Sequence, residues 1–163
     1  MNQRLATITS LFLGLTSIVG AQSLSVQDRH FVHEAAMGGM AEVRMGNIAA
    51  MQGRSARVKR FGRRMVADHS KANQQLMRVA RRLNLPVPSS IGGEEAETLG
   101  KLSSRHGREF DSIYASTMVK DHRKDIAAFE DEAKNGRNPR IRNFARMALP
   151  TLRMHLKMAQ RLP

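Results

Sequence analysis

A chain of 163 residues with 41% hydrophobic content has room for one packed domain, and the absence of Cys excludes a disulfide framework. Only 4% of the residues are aromatic and none is Trp, so Leu, Met, Ala, Val and Ile must fill the interior, a palette that suits helices. The formal charge of +13 is compatible with a polyanion partner and equally with a solvated basic face that keeps the protein soluble.

The N-terminus reads as a secretory signal over residues 1–21. Arg4 supplies a short positive start, Leu5 to Val19 is apolar, and Val19-Gly20-Ala21 offers small side chains before a cut. A membrane-spanning helix needs about 20 apolar residues, more than this run provides, so the expected product is a domain of residues 22–163 without a transmembrane span. No Cys stands at the cut, which excludes lipid attachment there. The expected location is the periplasm or outside the cell.

Ser25 and Asp28 form a candidate capping box for a first helix over about residues 26–52, with Phe31, Ala35, Gly38, Glu42, Met45 and Ala49 recurring at helical steps. Gly53 ends it and Ser55 can cap a second helix, whose stripe is Val58, Phe61, Met65, Ala72, Leu76, Val79 and Leu83. So short a turn makes these two helices antiparallel neighbours. The segment "NLPVPSSIGG" cannot continue a helix, and Glu94 to Leu102 can form only a short helical piece within the long connection. A third long helix starts near Arg108 and carries Phe110, Tyr114, Met118, Ile126 and Phe129; "NGRNP" stops it. The last helix runs from Pro139 to about 161 through Ile141, Phe144, Ala148, Leu152, His155 and Ala159, with Pro150 predicting a kink. No period-two pattern appears, so the expected class is all-α: a ferritin-like four-helix bundle whose long crossover lets the second and third long helices run parallel.

Two octapeptides nearly repeat, "MVADHSKA" from Met65 and "MVKDHRKD" from Met118. Each sets an Asp-His pair astride the core-facing line of its helix: Asp68 and His69 on the second, Asp121 and His122 on the third. Glu42 and His155 lie on the stripes of the other two. Glu42 stands 11 residues before Gly53 and His69 stands 16 after it, an axial offset of about 7 Å at about 1.5 Å per residue. Carboxylates and imidazoles converging from four helices are how di-iron and di-manganese bundles build their centres. Glu42, Asp68, His69, Asp121, His122 and His155 are therefore candidate ligands for Fe, Mn, Zn or Cu. Those centres use Glu-x-x-His twice, whereas here Asp adjoins His, so a structural Asp/His/Glu hydrogen-bond layer is the competing reading.

Other features are weaker. His30, His33 and Glu34 have the spacing of a surface metal site but read more simply as a solvated turn. Met37, Met40, Met45, Met51, Met147, Met154 and Met158 could hold Cu(I), yet Met is also the gap-filler of cores poor in aromatics. Arg54, Arg57, Lys59, Arg60, Arg63 and Arg64 crowd the start of the second helix, where cations oppose its dipole. An anionic lipid or polysaccharide suits that face. Nucleic acid does not, because Phe61 is the only aromatic residue within it.

The segments "HEAAMGGMAEVRMGNIAA", "VKRFGRRMVADHSKANQQL", "FDSIYASTMVKDHRKDIAAFE" and "FARMALPTLRMHL" together resemble domain-of-unknown-function family 4142 over nearly the whole mature chain. The resemblance implies export and a ferritin-like fold, and it brings no established reaction. Members are often labelled predicted outer membrane proteins, a label that finds no support in a sequence without strand patterns. Two functions are expected on this basis. One is an exported binding or stress-related module with a structural polar layer; the other is a metal-binding or oxidoreductase-like protein with its site inside the bundle.

Overall fold

The computed structural model describes residues 24–163, so the segment 1–21 read as a signal lies outside the described residues. Five helices follow in order: α1 (Val26–Gln52), α2 (Ala56–Arg82), α3 (Gly93–Ser103), α4 (Gly107–Asn135) and α5 (Pro139–Ala159). No strand occurs among the described residues. The expected caps are in place. Ser25 Oγ accepts from the Asp28 N–H at 3.0 Å while Asp28 Oδ2 accepts from the Ser25 N–H at 2.7 Å, so Asp completes the box that Glu more often does. Ser55 Oγ accepts from the Val58 N–H at 3.1 Å, and Asn138 Oδ1 caps α5 from the Arg140 N–H at 3.0 Å. α5 is helical through Pro150, over the range the sequence predicts.

Two buried aspartates fix the topology. Asp111, in the first turns of α4, accepts the N–H groups of Arg54 and Ser55 in the α1–α2 turn, each at 2.8 Å. At the other end of the bundle Asp28, at the start of α1, accepts the N–H groups of Arg137 and Asn138 in the α4–α5 turn, each at 3.0 Å. The start of α4 therefore meets the end of α1, which makes α1 and α4 antiparallel and α2 and α4 parallel. The chain must travel back along the bundle between α2 and α4, and residues 83–106 do this with α3 laid against α1 and α4. α1 packs beside α2 and α4, and α5 beside the same two, so α2 and α4 occupy opposite corners.

The interior is divided in three. One apolar cluster joins Ala41, Met45, Phe61, Met65, Tyr114 and Met118; a second, at the other end, joins Phe31, Val32, Leu76, Ile141 and Phe144. Between them lies a buried polar level made of Glu42, His69, His122 and His155. Close to it α1 and α2 come into near contact: a Cβ at Gly62 would lie 2.6 Å from the Gly46 carbonyl oxygen, so only glycine lets the two backbones approach there.

A second buried carboxyl, Glu132, stands 1% exposed at the Asp28 end with neither oxygen hydrogen-bonded. Burial, and then the neighbouring Asp28, push its pKa up to about 8. An acid raised in the folded state holds its proton there after the unfolded chain has lost it, so its effect on stability worsens as pH rises from 4.5 to about 8. Glu132→Gln, neutral at every pH, should equal the parent near pH 4 and exceed its Tm by several degrees at pH 8. Thermal melts of the pair across that range measure the difference, and parallel curves would contradict it.

Candidate metal centre

Each of the three histidines arrives from a different helix for a local reason. His69 follows Met65 by one turn on α2 and His122 follows Met118 by one turn on α4, and both methionines are fully buried. Because α2 and α4 run parallel at opposite corners, the repeated Met-Val-x-Asp-His delivers two imidazoles to the same level from two sides. α5 supplies His155, with Phe61 edge-on below it at 6.1 Å. The rings form a near-equilateral triangle, their centroids 5.2, 5.3 and 5.6 Å apart. His122 and His155 are fully buried and His69 nearly so.

Every ring has an acceptor on its outer side. His69 Nδ1 lies 2.7 Å from Glu42 Oε2, His122 Nδ1 lies 3.0 Å from the Met118 carbonyl oxygen, and His155 Nε2 lies 2.9 Å from Asp68 Oδ2. Burial lowers the pKa of each ring to about 4, so all three are neutral at ordinary pH and carry one N–H each. Donating those protons outward satisfies the three acceptors and leaves His69 Nε2, His122 Nε2 and His155 Nδ1 as bare lone pairs pointing at one another. His155 Nδ1 is 3.3 Å from each of the other two. The three nitrogens all lie within 4.8 Å of one another, and lone pairs so close repel unless a cation stands among them. The edge of a tetrahedron with metal–nitrogen bonds of about 2.0–2.1 Å is about 3.3–3.4 Å, which matches the 3.3 Å separations from His155 Nδ1.

The carboxylates are arranged around this triangle rather than in it. Asp68 also accepts from Arg64 Nε one turn earlier on α2, and its pKa is lowered: burial works against ionisation but the Arg64 and His155 bonds outweigh it. Glu42 sits 4% exposed, with Oε2 on His69 and Oε1 unpartnered, 3.6 Å from His122 Nδ1. Burial pushes Glu42 up to about 7 against the pull of His122, and Asp121 adds to the rise. Asp125 faces Glu42 and is raised well above the usual carboxylate range by burial first and by Glu42 next. The 7 Å offset expected between Glu42 and His69 closes because helical side chains lean toward their own N-termini. On antiparallel α1 and α2 that moves the two toward each other.

Five of the six candidate residues thus form one network: Glu42, Asp68, His69, His122 and His155. Asp121 turns the other way, toward α1 and α3, where it lines a small cavity with Glu94 and Glu95 and has its pKa raised to about 6 by burial, the flanking Lys120 and Lys124 opposing the rise. The reason is what each Asp faces. Asp68 meets His155 on α5, whereas Asp121 has no imidazole partner and sits among Lys120, Lys124, Glu94 and Glu95. Asp125, facing Glu42, is a further member of the layer; its i+4 position from Asp121 is the sequence signal for it. His33 pairs with Glu34 at the surface, and among the methionines Met45 is buried while Met51 and Met147 are largely exposed. A larger cavity of about 390 Å³ opens on the other side of the layer, between Arg64, Lys71 and Met147, and reaches His69, Asp68 and Glu42.

The family pattern described as Domain of unknown function (DUF4142) matches residues 14–162. The chain belongs to this family. Among solved structures, the DUF305 fragment from Deinococcus radiodurans superposes with a TM-score of 0.73 at 14% identity, over 84% of this chain and 95% of that one. CopM in the Cu(I)-bound form superposes with a TM-score of 0.68, also at 14% identity, over 82% of this chain and 92% of that one. At this identity the two establish a shared helical fold. No curated protein matches the chain.

The two aspartates of the repeat should respond differently to mutation. Asp68→Ala strands the His155 N–H in the core and should cost about 1–3 kcal/mol of unfolding free energy. Asp121→Asn, outside the hydrogen-bond network and free of a carboxylate that burial disfavours, should cost nothing at pH 7 and should stabilise slightly. Urea titrations of both variants test this, and equal losses would show that the repeat is used symmetrically.

Proposed function

We propose that this DUF4142 protein holds a first-row transition metal, zinc or copper, between His69, His122 and His155. The observation that carries the reading is three ring nitrogens facing one another, each ring having an acceptor beside its other nitrogen. Such acceptors orient metal-bound imidazoles and raise their basicity, a role that suits Glu42, Asp68 and the Met118 carbonyl. Three nitrogen donors and no inner carboxylate favour zinc or copper over iron or manganese, which take more oxygen. The fold neighbour CopM, crystallised with Cu(I), adds a modest reason to include copper. The purely structural reading has to leave three lone pairs facing one another, or place an outward lone pair against Glu42, Asp68 or the carbonyl. On the pattern of residues 1–21, this metal is bound after export, in the periplasm or outside the cell.

The cationic side of the bundle carries a second reading. α2 bears nine basic residues against Asp68 alone, and the adjacent α5 bears five against no acid. An anionic lipid or polysaccharide surface complements such a face, with Arg57, Arg60 and Arg63 exposed on it. No described helix is long and apolar enough to cross a membrane, so contact with lipid would be peripheral.

Protein purified without chelators should contain about one equivalent of zinc or copper per chain, with nitrogen scatterers at about 2.0 Å by X-ray absorption. Added metal should raise the Tm of the stripped protein. The His69→Ala/His122→Ala variant should lose both properties; a metal-free parent whose Tm ignores added zinc and copper would leave the layer structural. Separately, retention on anionic vesicles should fall sharply with salt and in Arg60→Glu/Arg63→Glu. Binding that survives both changes removes that face from consideration.

A further inference from the structure

The three histidines lie deep inside a strongly cationic molecule, and a metal ion must cross that field to reach them. The carboxylates are not spread evenly: three are on α1, three on α3 and seven on α4, with only Asp68 on α2 and none on α5. Both cavities at the polar level touch Glu42 and Asp125, and both carry more acid than base, to different degrees. The larger, which reaches His69, adds Asp68 against Arg64 and Lys71; the smaller adds Glu94, Glu95 and Asp121 against Lys120 and Lys124. The smaller one, about 80 Å³, lies between α1, α3 and α4 and continues inward past Asp121 to Asp125 and Glu42. Lys120 and Lys124 also border it, on exposed positions like that of Glu94, leaving five carboxyl groups against two ammonium groups.

Glu42 marks the inner end of this cavity. Its Oε2 is directed to His69 on α2, while Oε1, buried and without a hydrogen-bond partner, lies 3.6 Å from His122 Nδ1 on α4; the residue itself lines the acidic cavity. A buried carboxylate oxygen left bare is costly unless something charged or polar visits it. Glu94 and Glu95 in the first turn of α3 also complement its dipole, which explains their helix position. It does not explain Asp121 beneath them or the bare Glu42 oxygen beyond. At Gly38, which lines both cavities one turn before Glu42, a Cβ would meet nothing within 4 Å, so there is open space beside the carboxylate.

Resting on the reading of the histidines as a metal site, we propose that the α1–α3–α4 cavity is the inlet through which the metal cation reaches them. Glu94 and Glu95 gather the cation at the lip, Asp121 passes it inward, and Glu42 Oε1 is the last oxygen it meets before the imidazoles. The function of the second Asp in the repeated octapeptide is then delivery rather than ligation. Field focusing by a negative cleft in a positive surface acts on the association rate more than on the bound state.

Stopped-flow mixing of metal-stripped protein with Co(II), whose visible bands report arrival among nitrogen ligands, tests this. In Glu94→Gln/Glu95→Gln/Asp121→Asn the association rate should fall about tenfold and lose most of its dependence on ionic strength. The final spectrum and stoichiometry should match the parent, which also verifies that the variant folds. Lys71→Glu, at the rim of the larger cavity, should leave the rate unchanged. An unaltered rate in the triple variant, or an acceleration confined to Lys71→Glu, overturns the inlet while leaving the metal site standing. A parent protein that never develops the Co(II) spectrum takes down both readings.

Discussion

A neutral imidazole has one N–H and one lone pair, and the interior of this bundle is organised around that limit. Three such rings meet where Glu42, Asp68 and a backbone carbonyl claim every N–H from outside. The lone pairs have nowhere to point but inward. Everything else near the level supports this arrangement: methionines one turn away on α2 and α4 hold the rings in register, Phe61 closes the floor, and burial keeps the rings unprotonated. A layer of this kind divides the apolar core in two, an interruption that costs stability unless its polar groups are fully satisfied. A cation at the centre satisfies all of them at once.

The repeated octapeptide makes sense only with the crossover. Parallel helices at opposite corners present identical segments to a common centre in the same orientation, so one motif can serve twice. The symmetry stops at the neighbours, since Asp68 meets a histidine on α5 and Asp121 meets none. One Asp therefore becomes a hydrogen-bond partner and the other is turned out toward α3. The same asymmetry separates charge, leaving α2 and α5 cationic and α4 with α3 acidic. The buried centre is consequently flanked by faces of opposite sign, one suited to an anionic surface and one to an approaching cation.

Much of the fold was legible in one dimension. Caps at Ser25 and Ser55, the Pro/Gly-rich break after Leu83 and Pro139 at the start of α5 act through local backbone chemistry, so reading them needs no tertiary knowledge. Asp111 and Glu132 gave no signal at all: a carboxylate that caps a distant turn and one buried without a partner look like any acidic residue on a helix surface. Asp121 was grouped with the histidines because adjacent helix positions 100° apart both flank a seam, and sequence spacing does not say on which side the neighbour is basic.

What the sequence by itself determined is the list of parts: long amphipathic helices, one long link, and imidazoles at matching heights on three of them. Periodicity and capping are local properties, and the polar residues break the apolar stripes visibly enough to be found. Tertiary structure decided which nitrogen of each ring faces its fellows, which carboxylate serves as partner and which lines a cavity. Those outcomes depend on what stands across a gap of about 3 Å on another helix, a distance at which hydrogen-bond geometry discriminates sharply and for which the one-dimensional pattern holds no coordinate.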